Sequence, residues 1–241
     1  MEFRLPFVLS INFNFIKMPL INIHTHKLAN SDELFILNIP IGIESLSQQE
    51  SSPHQIYKSA GIHPWHIENI DILNELSILE LMIKAKTIIA IGEIGLDKAY
   101  KTDFKKQIEV FRLQLDLATK YKMPIIIHCV RAYNEVFEIL ADNKHSIKGV
   151  FHGFNSSKVM AIQLCSKGYY LSIGSSFLNP KSKLKSFIDQ IPLENLFFET
   201  DDSDISVSTL YSEYCKLTTI SEEKLRRKIN SNFIIVSNKT C

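Results

Sequence analysis

Residues 20–26 read LINIHTH. The first five, Leu20–His24, are a short apolar run with β-branched residues, the composition of a strand. Comparable runs recur at Leu34–Ile39, Ser59–His63, Thr87–Ile91, Pro124–His128, Lys148–His152, Tyr169–Ile173 and Leu196–Thr200. Most are apolar on both faces, as parallel strands covered by helices must be. Between several of them the period turns helical. Phe104, Ile108, Phe111, Leu115 and Ala118 share one helix face, as do Leu76, Leu79 and Ile83. Leu225, Ile229 and Phe233 step by four near the end, behind Ser221 as N-cap with Glu222 and Glu223 in the first turn. The stretch holding Asn30, Ser31 and Asp32 reads as a loop, and no structure is assigned to the polar connection from Ile41 to Lys58. Strands alternating with helices make a parallel sheet, and eight of them favour a closed TIM-type (β/α)8 barrel in a single α/β domain over an open sheet.

The chemistry-bearing residues fall at the ends of these runs. His24 and His26 are two apart on the first run, so both imidazoles point to one face and can reach one metal. Glu93 follows the fourth run, His128 ends the fifth, His152 ends the sixth and Asp201 follows the eighth. In a β/α barrel those ends converge on one rim, where active sites are built. Imidazole with carboxylate suits zinc, manganese, iron or nickel without thiolate. Six ligands exceed the three that a one-zinc catalytic site takes from its protein, so two divalent metal ions with one bridging carboxylate are expected.

Composition narrows the partners. The chain has 241 residues, 45% hydrophobic and 22% charged, with a formal net charge of +1. That length holds one barrel with short loops. A protein gripping long nucleic acid carries a clear basic excess, so a nucleic-acid substrate would be met at a short end. Cys129, Cys165, Cys215 and Cys241 lack the spacing of a zinc knuckle or redox pair and read as reduced thiols of a cytoplasmic protein. No apolar run reaches membrane-span length. Residues 1–17, MEFRLPFVLSINFNFIK, show no signal-peptide pattern. They are expected to be an upstream extension, with Met18 the natural start and the barrel occupying 18–241.

Taken in order, HTH at 24–26, GIHPWH at 61–66, GEIGLD at 92–97, IIIHCVRA at 125–132, FHGF at 151–154 and ETD at 199–201 resemble the motifs of the TatD family of metal-dependent hydrolases and deoxyribonucleases. The resemblance runs from about Pro19 to beyond Asp201. It implies one metal held by His24, His26, Glu93 and Asp201, and a second by Glu93, His128 and His152, with Glu93 as the bridge. It further implies hydrolysis of phosphodiester bonds at DNA ends, commonly from the 3′ side, with magnesium, manganese or zinc. The catalytic residues would be Asp201, which orients the nucleophile and takes its proton, Glu93, and His63, which faces the substrate.

The pattern departs at Asn22, where the family commonly has Asp. If that side chain backs a metal ligand, losing its charge is expected to lower metal affinity. Trp65 and His66 read either as base contacts or as loop packing, Arg131 as a phosphate contact or a surface ion pair, and Asp97 as a pin for the loop after Glu93. Asp202, Asp204 and the lysines at 181, 183 and 185 read as solvated positions. Two other readings compete with the nuclease: an amidohydrolase-like enzyme acting on a small amide, ester or lactone, and a non-catalytic binding module stabilised by its metals.

Overall fold

The computed structural model describes residues 18–28, 33–41, 56–141 and 147–238. The expected extension at 1–17, the loop at 30–32 and most of the 41–58 connection lie outside the described residues. Eight parallel strands follow one another in sheet order: β1 (Leu20–Thr25), β2 (Glu33–Pro40), β3 (Tyr57–Gly61), β4 (Ala90–Asp97), β5 (Ile125–Val130), β6 (Gly149–Phe151), β7 (Tyr170–Ile173) and β8 (Leu196–Phe198). The ring closes through a parallel bridge between Thr25 and Asp201. His26 N donates to Asp201 O and Asp201 N donates to His24 O, each at 3.2 Å. The barrel expected from the alternating runs is thus the fold.

Helices α1 (Ile72–Lys84), α2 (Phe104–Tyr121), α3 (Tyr133–Ala141) and α4 (Lys158–Ser166) connect β3 through β7. Helices α5 (Val207–Thr218) and α6 (Glu222–Ser237) follow β8. Between β7 and β8 the chain makes short 3-10 turns instead of an α-helix. The expected helix faces are the buried ones: Phe111, Leu115 and Ala118 on α2, and Leu225, Ile229 and Phe233 on α6. Each fully buried large side chain contributes about 1.5–3 kcal/mol of apolar transfer free energy. Ser221 caps α6 by accepting from Lys224 N at 3.3 Å. Among the described residues no helix is long and apolar enough to cross a membrane.

Two expected strands are displaced. β3 stops at Gly61, leaving His63 beyond the strand. β4 starts later than the apolar run at Thr87 and extends through Asp97, so Glu93 lies inside the strand instead of after it. Close approach to β5 demands the two glycines of GEIGLD. A Cβ at Gly92 would sit 2.6 Å from Ile126 Cβ, and one at Gly95 (φ +146°) would sit 2.0 Å from His128 O. A register shift between Ile91 and Ile94 absorbs the irregularity, and pairing resumes from Ile94 with Ile127 to Asp97 with Val130. Such a shift re-aims the side chain it carries, here Glu93.

Candidate metal centre

All six expected ligand residues converge at the C-terminal rim. His24 comes from β1, and His26 follows it. Glu93 comes from β4 and His128 from β5, while His152 follows β6 and Asp201 follows β8. Asp201 has φ +52°, a left-handed conformation rare outside glycine and several-fold enriched in Asp. That local turn, held by the bridge to Thr25, presents its carboxylate to the two histidines of the first strand.

Glu93 is the hub. Its Oε2 lies 3.4 Å from His24 Nε2 and 3.5 Å from His26 Nε2. Its Oε1 lies 2.6 Å from both His128 Nδ1 and His152 Nε2, and 3.1 Å from His63 Nε2. Asp201 Oδ1 completes the first group, 3.6 Å from His24 Nε2 and 3.4 Å from His26 Nε2. A cavity of about 230 Å³ opens onto this cluster, lined by His26, His63, Trp65, Glu93, His128 and Asp201 among others.

The donor set fits metal ions. His24 is fully buried, yet neither of its ring nitrogens has a hydrogen-bond partner. A buried polar atom without a partner is costly and calls for an unrecorded one. Its Nε2 faces two carboxylate oxygens at distances too long for hydrogen bonds and suited to a cation between them. His24, His26 and Glu93 could share an ion, as could His63, Glu93 and His128. The surrounding carboxylates favour positive charge at this point, which a proton supplies when no cation displaces it. Burial opposes a charge on His24, but Asp201 and Glu93 outweigh it and raise the imidazole to about 9. Burial also opposes ionisation of Glu93, but His152, His128 and His24 hold its carboxyl well below the usual range.

Sequence reasoning missed two carboxylates behind the imidazoles. Asp97, read as a loop pin, does receive Ala99 N and Tyr100 N at 2.7 and 3.2 Å. Its other oxygen, Oδ2, pairs with His128 Nε2 at 3.1 Å and accepts from Trp65 Nε1 at 2.7 Å. Glu199, fully buried, places Oε1 3.4 Å from His152 Nδ1 and accepts from Gly153 N. Asp97 orients the His128 ring and selects the nitrogen that faces Glu93, whereas Glu199 stands behind His152 as a nearby charge without a hydrogen bond to its Nδ1. The signal available was an acid buried at the end of an apolar run. Two glutamines of α2 were also missed. Gln114 bonds both backbone groups of Ile62, at 2.7 and 3.1 Å, and Gln107 does the same for Asp97, at 2.8 and 3.0 Å. They clamp the chain segments that carry His63 and Asp97.

The side-chain hydrogen bonds of Asn22 go to Thr200. Its Oδ1 accepts from Thr200 N at 3.0 Å and its Nδ2 donates to Thr200 Oγ1 at 2.9 Å. It ties β1 to the chain just before Asp201, a role in closing the barrel. Asp204 pairs with Lys27 at 2.5 Å, while Asp202 lines the cavity. Lys185 pairs with Glu213 at 2.6 Å and is not simply solvated.

A closed parallel barrel with imidazoles and carboxylates gathered at its C-terminal rim defines the class of barrels built to hold metal at that rim. Residues 37–236 match the family model described as TatD related DNase, and the chain belongs to that family. It is 35% identical over 160 residues to an uncharacterized metal-dependent hydrolase of Buchnera aphidicola, covering 63% of this chain and 60% of that protein. It is 26% identical over 209 residues to the 3′-5′ ssDNA/RNA exonuclease TatD of Edwardsiella piscicida, covering 82% and 80%. The crystal structure of the TatD homologue YjjV from Escherichia coli superimposes with a TM-score of 0.78 at 21% identity, over 93% of this chain and 100% of that one. The chain spans about 60% of the length of several curated relatives that it matches.

Proposed function

We propose that this chain is a metal-dependent phosphodiesterase that hydrolyses DNA at its ends, as a 3′ exonuclease, using two divalent cations. The observation that carries the reading is the division of one carboxylate: Glu93 turns Oε2 to His24 and His26 and Oε1 to His128 and His152. That is the arrangement of a bridging ligand between two positions. His24, His26, Glu93 and Asp201 would hold one ion, and Glu93, His128 and His152 the other. Magnesium, manganese and zinc are the candidates. Divalent cations held there would supply an activated water near neutral pH and would neutralise charge developing on phosphoryl oxygens.

The chain's own residues supply the rest. Burial disfavours ionisation of Asp201, but His24 beside it outweighs that and keeps its carboxyl below the usual range. It is therefore ionised at neutral pH and able to orient the attacking water and accept its proton. His63 Nδ1 accepts from Trp65 N at 3.2 Å, which puts the ring proton on Nε2, toward the cavity. Burial pushes its pKa down. A neutral His63 thus has one N–H, shared with Glu93 Oε1 at 3.1 Å, and a non-bridging phosphate oxygen entering the cavity would compete for it. The net charge of +1 suits a short strand end better than a long duplex. Relatives named as exonuclease or deoxyribonuclease support the same substrate class.

The test is a metal-stripped preparation given a 3′-labelled single-stranded oligonucleotide with magnesium, manganese or zinc in turn, and Glu93→Ala purified in parallel. Shortening by the unsubstituted protein alone is the expected result. No shortening with two equivalents of metal bound would overturn the nuclease reading in favour of a small amide or ester substrate.

A further inference from the structure

Trp65 is the one tryptophan of the chain, and 41% of it is exposed at the edge of the cluster. Its pose is fixed on several sides. The ring stacks on Tyr100 with centroids 4.7 Å apart and planes 13° apart. Its indole N–H donates to Asp97 Oδ2 at 2.7 Å, and Thr102 Oγ1 donates to Pro64 O at 2.9 Å, joining the two loops. A large aromatic ring held this firmly while still facing water has paid its ordering entropy before any ligand arrives.

The same ring lines two cavities. One holds Glu93 and the imidazoles. The other, of about 350 Å³, is lined by Trp65, His66, Asn69, Ile70, Tyr100 and Lys101 among others. Trp65 and His66 line both cavities, so a ligand spanning the two would lie beside the indole. Every nucleobase has a π-face that stacks on aromatic side chains regardless of sequence. Lys101 and Glu68, both exposed, put one charge of each sign on the lining of the second cavity, so the base-stacking faces rather than net charge carry the recognition.

We propose that this second cavity is a nucleobase subsite: it takes the base flanking the phosphodiester held at the cluster, against the Trp65–Tyr100 pair. The proposal rests on the nuclease reading for the position of the phosphodiester, but the base contact can be measured apart from cleavage. Because Trp65 is the sole tryptophan, its emission reports on this ring alone. The metal-loaded protein is titrated with dAMP and dTMP, and with deoxyribose 5-phosphate as the base-free control. In parallel, KM and kcat are measured on oligonucleotides that are identical except for one abasic residue placed in turn at each terminal position.

Quenching by both nucleotides and not by the base-free phosphate is expected, with one abasic position raising KM about tenfold while kcat stays within about twofold. Cleavage at the same KM with and without each base, and unmoved fluorescence, would overturn the subsite and leave the nuclease reading standing. No cleavage of any oligonucleotide would overturn the nuclease reading. The titration then decides the subsite alone: base-dependent quenching supports it and unmoved emission overturns it.

Discussion

Asp97 Oδ2 lies 3.1 Å from His128 Nε2, on the opposite side of the ring from the Nδ1 that meets Glu93 at 2.6 Å. The carboxylate holds the Nε2 proton and leaves Nδ1 free to bind a cation. Burial works against its charge, but the Trp65 indole and His128 lower its pKa and keep it ionised. Asp97→Asn removes that charge while preserving size, and is expected to weaken metal binding about 10- to 100-fold. A metal-competition titration measures it, and unchanged affinity would show that Asp97 serves the loop alone.

Glu93→Ala removes the group shared by both halves of the cluster. Fewer than two equivalents of manganese should remain bound after dialysis, read by elemental analysis, with circular dichroism confirming the fold. Two full equivalents in the variant would dismiss the bridging role.

Stripping metal should loosen the fold, since His24, Glu93 and His152 are buried at less than 10% exposure with ionisable groups facing one another. Ligand binding to the folded state alone adds about 2.7 kcal/mol at 100 times Kd. For a domain of this size that raises Tm by roughly 5–10 °C. A melting curve with and without manganese after chelation checks this.

Asn22→Ala is expected to cost about 1–3 kcal/mol, because Thr200 N–H loses its acceptor inside the barrel. Asn22→Asp keeps an acceptor for that N–H, and should leave metal affinity within about threefold, since the hydrogen bonds of position 22 go to Thr200 and not to a histidine. Urea denaturation and metal titration of the two variants separate the effects.

Glu80 ties α1 to α2. It pairs with Lys120 at 2.7 Å and Lys84 at 3.4 Å and accepts from the Tyr121 hydroxyl, and Lys120 leads in holding its carboxyl at about 2. A depressed carboxyl contributes stability above its unfolded pKa, about 4.5 here, that is lost as pH falls toward 2. The stability gap between the unsubstituted protein and Glu80→Gln should be small at pH 7, because the pair is exposed, and should vanish near pH 2. A gap that grows on acidification would contradict this origin.

Much of this molecule is written locally. The period-two and period-3.6 patterns are local consequences of backbone geometry, so the eight runs, the α2 and α6 faces and the barrel could be read from the chain. The six rim residues could be read too, because parallel strands all deliver their C-terminal ends to one side. Other features depend on what the folded chain brings near. Glu93 lies inside the strand because β4 packs against β5 closely enough to require glycine at 92 and 95. Asp97 and Glu199 became partners of His128 and His152, and Asn22 became a partner of Thr200, 178 residues away, only through strand register and closure. Hydrogen bonds reach about 3 Å and carry no mark in the sequence of the residue they will meet. The chain by itself determined which groups reach the rim; tertiary packing decided which atom of each faces which neighbour.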